Sequence, residues 1–193
     1  LVGWQFLNCV RLWTHVVSAM SDESALGQLI YPLSQVIQGI LLAATSAVAL
    51  PVKFLLIELL QMLAAHSGLF VPTFRIALEV LELSDLSPAS KPSGSTDTAP
   101  TFQYMNRLPK GSLSKALVRD AVIEQVCSAI RREAEIYRYH ISLPEYAFLT
   151  VRHLKGFVKK CKAGRWRDMI RNVLGTLESY VGDVKKERIA RRI

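Results

Sequence analysis

The side chains best suited to metal or nucleophilic chemistry are few and lie far apart in the sequence. They are His15, His66, His140, His153, Cys9, Cys127 and Cys161. No two histidines stand four residues apart with a glutamate between them, as in many zinc enzymes. An odd number of widely spaced cysteines is not typical of a disulfide framework and predicts buried, reduced thiols on helices in a cytosolic or nuclear protein. We therefore expect no metal site and no cofactor.

A further pattern with possible catalytic meaning begins at Ser112. The string Ser112-Leu113-Ser114-Lys115 matches the Ser-x-x-Lys motif of some acyl-transfer enzymes, in which the lysine supports a serine nucleophile. The partner motifs of that enzyme class are absent from the sequence, so helix N-capping by Ser112 or Ser114 is the better interpretation. The sequence also has no glycine-rich phosphate loop and no nucleophile elbow. We expect neither catalysis nor a small-molecule substrate.

Basic residues provide the strongest functional signal, because they are concentrated in the second half. The net charge is +8, yet residues 1–86 carry three basic and six acidic side chains. The densest basic run consists of Arg152, Lys155, Lys159, Lys160, Lys162, Arg165, Arg167 and Arg171. Such a run predicts contact with RNA phosphates or another acidic partner, and an exposed Trp166 among them would stack on a base. A solvated helix face with Trp166 packed beneath it is the alternative interpretation.

Apolar residues recur at helical spacing in 1–20, 24–43, 50–65 and 72–84. Pro51 and Pro72 are expected in first turns and Gly68 at a helix end. Pro32 either falls in the first turn of a helix beginning near Leu29 or kinks a longer helix.

The first helices are poor in charge. No charged residue lies between Glu23 and Lys53, and this length would permit a membrane span. Polar residues and two prolines interrupt the stretch, so we favour buried helices and expect no membrane. Three aromatic residues on the opening helix, Trp4, Phe6 and Trp13, are the candidate contacts for a protein partner, although an intramolecular core would also use them.

The rest of the chain predicts a loop and further helices. Residues 86–113 combine a Pro/Ser-rich loop with an extended arm around 100–108, laid over the helices. The first of these helices is expected at 114–139. A Ser142/Glu145 capping box begins the second, which has Phe148 in its buried face. The last helix begins at about 165 and frays into a basic end.

These patterns together predict an all-α fold with more than about 60% helix. About seven helices, paired at a period near 40 residues, favour a fragment of an armadillo- or HEAT-like α-solenoid, with an irregular bundle as the alternative. We expect a single domain over 1–193, with sub-regions 1–85, 86–113 and 114–193. The first residue is Leu1 and no secretory signal follows it, so we expect a fragment of a longer protein.

Several strings, in this order over residues 1 to about 185, resemble the conserved region of the nucleolar complex protein 2 family, toward its C-terminal part. They are Trp4-Gln5-Phe6, Cys9, Leu12-Trp13, Leu29-Ile30-Tyr31-Pro32-Leu33, Gln35-Val36-Ile37, Ser67-Gly68, Phe70, Pro72, Arg119-Asp120, Glu124-Gln125, Leu143-Pro144-Glu145, Leu154-Lys155, Phe157 and Cys161-Lys162.

The resemblance implies a nuclear and nucleolar protein, present also in the nucleoplasm, without catalytic residues. It implies a scaffold in large (60S) ribosomal subunit biogenesis that aids the assembly and intranuclear transport of precursors. The implied partners are sister nucleolar complex proteins, in a helical-repeat heterodimer, and proteins of the pre-60S particle, with ribosomal RNA as a further candidate. A chromatin-linked regulator that binds histones or transcription factors is the alternative function.

Overall fold

The computed structural model describes residues 3–20, 24–83, 101–102, 105–109 and 111–191. In these ranges about 80% of the residues are helical and no strand occurs, which confirms the all-α prediction. The helices are α1 (Trp4–Ala19), α2 (Ser24–Gly27), α3 (Ile30–Ala43), α4 (Leu50–Ser67), α5 (Phe74–Leu81), α6 (Ala116–Ile136), α7 (Leu143–Lys160) and α8 (Gly164–Ala190). The solenoid arrangement stays a prediction, and most of the predicted loop, at 86–100, lies outside the described residues.

The chain forms two compact units. Unit 1 comprises Leu1–Thr73 with Pro100–Leu113, and unit 2 comprises Phe74–Ala99 with Ser114–Ile193. The expectation of a single domain with three sub-regions stays a prediction.

In unit 1, α4 is the central helix, and α1 and α3 pack against it. Its apolar residues point in all directions around the helix axis. Burying them requires neighbouring segments on most sides of the helix. Pro51 lies in its first turn, as predicted, and Gly68 ends it in a left-handed conformation with φ 66°. A buried hydrogen bond of 3.0 Å from Gln61 Nε2 to Thr73 Oγ1 satisfies two polar side chains in this core.

The predicted helix over 24–43 is divided in two. The short α2 ends at Gly27, and α3 begins at Ile30, so that Pro32 falls in the first turn of α3. Proline lacks an N–H and would clash with the preceding turn inside a longer helix, which explains the interruption. The first of the two interpretations of Pro32 is therefore correct.

The described part of the arm at 101–108 belongs to unit 1 and packs on its helical part. Phe102 lies against Phe54 with ring centroids 5.8 Å apart, and the N–H of Leu108 donates to the carbonyl oxygen of Val48 at 2.9 Å. The N–H of Met105 donates to the carbonyl oxygen of Phe102 at 3.1 Å, so these two residues lie too close together for a fully extended arm.

In unit 2, α7 and α8 run antiparallel. Lys155 of α7 pairs with Glu178 of α8, and Glu145, ten residues before Lys155, pairs with Arg188, ten residues after Glu178. The bidentate Arg188–Glu145 contact has N–O distances of 2.5 and 2.7 Å. α8 is helical to Ala190, so the predicted fraying of this end is wrong within the described residues.

The capping box predicted at Ser142 is also wrong. The side chain of Ser142 makes no capping hydrogen bond, and its backbone N–H donates to His140 Nδ1 at 3.2 Å. Glu145 turns instead to the guanidinium of Arg188, because a bidentate contact between two charged groups is stronger than a single capping bond from a neutral N–H.

Candidate interaction surfaces

The three aromatic candidates on α1 are partly exposed, with exposed fractions of 42% for Trp4, 47% for Phe6 and 50% for Trp13. Phe6 and Trp13 are seven residues apart and therefore lie on one helix face, whereas Trp4 lies on the opposite flank of the buried face. The structure thus brings together two of the three predicted residues.

The face shared by Phe6 and Trp13 contains residues that the sequence interpretation missed. Met20 continues the seven-residue spacing and Cys9 lies beside it, and both are exposed. We call Phe6, Cys9, Trp13 and Met20 the α1 stripe. Its signal in the sequence was the repeat of large apolar residues at i, i+7 and i+14.

The outer face of α3 is exposed but carries no charge, with Tyr31, Gln35 and Leu42 open to solvent. Within the described part of the chain, two segments are long and apolar enough to span a membrane, Ala25–Ala43 and Ala47–Ser67. In the second segment 61% of the most apolar window is buried, which is typical of a core helix, but in the first only 22% is buried. The charge-free stretch between Glu23 and Lys53 ends in the first turn of α4, so most of it lies in α2 and α3, and much of α3 is surface.

Three of the eight basic candidates are paired with carboxylates. Lys155 contacts Glu178 at 2.6 Å, and Arg165 contacts Asp120 at 2.8 Å. Arg171 contacts Asp168 at 3.3 Å. Their charge is thus partly compensated within unit 2.

Trp166 does not extend this basic surface. It is only 5% exposed, and its indole Nε1 donates to Asp120 Oδ1 at 2.6 Å. The prediction that Trp166 is exposed and stacks on a base is therefore wrong, and Trp166 is packed beneath the surface as the alternative interpretation expected. Whether the basic residues bind a partner stays a prediction. A tryptophan that is buried with a partner for its N–H is a structural anchor.

The other five cations have no carboxylate within ion-pair distance among the described residues. They are Arg152, Lys159, Lys160, Lys162 and Arg167. Lys159 and Lys162 are exposed beside the connection from α7 to α8, and Arg167 is partly buried on the first turn of α8. We call Lys159, Lys162 and Arg167 the basic turn.

The remaining two cations, Arg152 and Lys160, line an open groove between α5 and α7 with a volume of about 500 Å³. Leu78, Leu81, Leu149 and Phe157 supply its apolar surface. His153 Nδ1 lies 3.6 Å from Glu82 Oε1 on its rim. We call this feature the α5–α7 groove.

Two consecutive large apolar residues of α7 are exposed, Leu149 in the lining of this groove and Phe148 outside it. Phe148 and Leu149 are each 62% exposed, so the prediction that Phe148 is buried is wrong. The buried face of α7 follows Leu143, Ala147 and Leu154, and Phe148 lies one residue, or about 100°, away from it.

The cysteines are free thiols in three different environments. Cys127 is buried, and burial raises the pKa of its thiol to about 11, so it is unreactive near neutral pH. Cys9 is exposed on α1, which contradicts its predicted burial, and Cys161 is partly exposed. Over the described ranges, no three His, Cys, Asp or Glu side chains come close enough together to hold a metal ion.

Unit 2 also contains a buried carboxylate. Glu133 of α6 accepts a hydrogen bond from the hydroxyl of Tyr146 on α7, whose ring stacks on Phe74 with centroids 4.8 Å apart. Burial, together with the nearby Glu133, raises the pKa of the Tyr146 hydroxyl. This pair joins α6 to α7 and is satisfied internally, as buried polar groups usually are.

A helical protein that exposes apolar and basic helix faces has the features of a binding module. The family model described as the Noc2p family matches residues 1–192, and the chain belongs to this family. This confirms the resemblance seen in the sequence.

Curated relatives match most of this chain. It is 25% identical over 185 residues to Nucleolar complex-associated protein 2 of Arabidopsis thaliana, and 26% identical over 186 residues to Nucleolar complex protein 2 of Drosophila melanogaster. Each match covers 96% of this chain and 24% of the relative. Protein REBELOTE of Arabidopsis thaliana is 25% identical over 184 residues, which cover 95% of this chain and 30% of that protein. The chain thus spans about a quarter of the length of the first two relatives.

Proposed function

We propose that this chain is the part of a non-enzymatic scaffold that pairs with a sister nucleolar complex protein during assembly of the large ribosomal subunit. The α1 stripe carries the proposal, because it exposes two large aromatic residues on one helix face. The names of the relatives, which refer to nucleolar complexes, support a nucleolar and nuclear setting. Pairing would take place on pre-60S particles and help their transport within the nucleus.

The chemistry of the α1 stripe is suited to a helical partner. Large aromatic residues often carry most of the binding energy of an interface, and a seven-residue repeat presents them along a line against which another helix can pack. Cys9 and Met20 extend the line without adding charge. No unpaired charge therefore has to be desolvated along this line.

The pairing is tested with the full-length protein carrying Trp13→Arg. An arginine at the centre of a desolvated contact weakens the binding free energy by about 2 kcal/mol or more. We therefore expect co-purification with the sister protein to be lost. Leu12→Arg is the matched control, because Leu12 is 63% exposed on the same helix but lies away from the stripe. Unchanged pairing by Trp13→Arg, or equal loss by both folded variants, contradicts the proposal.

A second ligand of the same scaffold is the phosphate backbone of ribosomal RNA at the basic turn. Lys159, Lys162 and Arg167 have no carboxylate partner among the described residues, so their charge is available to an external anion. Cations that contact phosphates carry no information on base sequence, so we expect weak dependence on base sequence.

A further inference from the structure

We propose that the α5–α7 groove binds an acidic amphipathic helix of a second partner protein, distinct from the one that contacts the α1 stripe. The groove extends along α7 from Leu149 to Lys160, a length of about 17 Å or three helical turns. An apolar trough of this length matches a helix that inserts apolar side chains at every third or fourth position.

The charge on the rim selects an acidic ligand. Arg152 and Lys160 are eight residues apart on α7, or about 12 Å, and neither has a carboxylate partner among the described residues. Among the described residues that line the groove, Glu82 is the single carboxylate, and it is near His153. Two acidic residues about eight positions apart on a bound helix would face the two cations.

The apolar surface distinguishes a protein ligand from RNA at this place. Leu78, Leu81, Leu149 and Phe157 line the groove, and three of these four side chains are aliphatic, from which a phosphate backbone gains nothing. An amphipathic helix instead covers the leucines with its apolar face while its flanking carboxylates meet the basic rim. The groove and the basic turn therefore have different ligands, although both are basic.

The test uses the whole chain and a labelled synthetic peptide of about 14 residues, or four helical turns. The peptide is helix-forming, with leucines at every third or fourth position and two glutamates eight residues apart. Fluorescence anisotropy is expected to show saturable binding that weakens with salt. Leu149→Asp and Arg152→Glu are each expected to weaken binding about tenfold, because one removes an apolar contact and the other a cation.

Two matched controls lie on the same helix. Phe148→Asp changes an apolar residue with the same exposure as Leu149, and Lys159→Glu changes a cation that does not line the groove. Each is expected to change affinity by less than about threefold. A peptide with lysines in place of the glutamates is expected not to bind. Circular dichroism checks that every variant keeps its helix content.

Several results would overturn the proposal. One is the absence of binding by the acidic peptide, and another is equal weakening by the control variants. If a uridine oligomer binds in place of the peptide and loses affinity with Arg152→Glu, the groove belongs to an RNA surface. If sedimentation shows a dimer that Leu149→Asp dissociates, a second copy of the chain covers the groove. The groove variants are expected to retain the sister protein, so failure here is distinct from failure of pairing through the α1 stripe.

Discussion

The indole Nε1 of Trp166 donates to Oδ1 of Asp120 at 2.6 Å, while Arg165 donates to the other oxygen, Oδ2, of the same carboxylate at 2.8 Å. One carboxylate on α6 thus holds two consecutive residues at the start of α8. This contact keeps Trp166 away from solvent and removes Arg165 from the set of free cations. It therefore determines both the stability of this helix junction and the extent of the basic surface.

Asp120→Ala is expected to destabilise the protein by about 2 kcal/mol, because it leaves a buried indole N–H without its acceptor and removes an ion pair. Asp120→Asn should cost less, since its amide oxygen can still accept from the indole. The measurement is the free energy of unfolding from urea titration. Asp168→Ala is the control, because the exposed pair with Arg171 contributes little, and equal effects at both positions would contradict the role of Asp120.

The contact between Glu145 and Arg188 predicts a dependence of stability on pH. The hydrogen bonds from Arg188 lower the pKa of the Glu145 carboxyl to about 2. A carboxyl with a lowered pKa in the folded state stabilises the protein above its unfolded pKa of about 4.3, and this contribution is lost as pH falls from there toward 2. We expect wild type to be more stable than Glu145→Gln at about pH 6, and the difference to shrink below about pH 4.

The measurement for this contact is the urea midpoint of both proteins over the acidic range. Glu178→Gln is a suitable comparison, because Glu178 of α8 also forms an ion pair between the two helices, with Lys155 of α7. A difference between wild type and Glu145→Gln that stays constant from about pH 6 to pH 2.5 would show that Arg188 does not hold this carboxyl.

Changing both exposed lysines of the basic turn, Lys159→Glu and Lys162→Glu, is expected to weaken RNA binding about tenfold or more at low salt. The dependence of affinity on salt should become less steep, because fewer counterions are released on binding. Stability should change little, since both side chains are exposed. The measurement is a titration of an RNA hairpin at two salt concentrations.

The control for this experiment makes the same charge change at the other end of α8. The control variant combines Lys185→Glu and Lys186→Glu. Both lysines are exposed, and they lie about 30 Å from the start of α8. If this control loses as much affinity, RNA binding depends on net charge alone. Equal affinity and salt dependence for wild type and the first variant would mean that Lys159 and Lys162 are a solvated face.

The sequence alone determined where most helices lie and which residues end them. The runs around α4, α6 and α8 have apolar residues at helical spacing, and Pro51 and Gly68 restrict the backbone locally, so these features depend on neighbours within a few positions. The same spacing placed Phe6 and Trp13 on one face of α1. The concentration of charge in the second half could be read directly from the composition.

Only the tertiary structure decided which side chains are available to a partner. Arg165 and Lys162 look alike in the sequence, but Arg165 is paired with Asp120, 45 residues away, whereas Lys162 has no carboxylate partner among the described residues. Glu145 forms a long-range contact with Arg188 that replaces the local capping contact, and Phe148 is exposed because the packing of α7 selects the face of Ala147. These outcomes depend on distances between helices, which no local pattern of residues specifies.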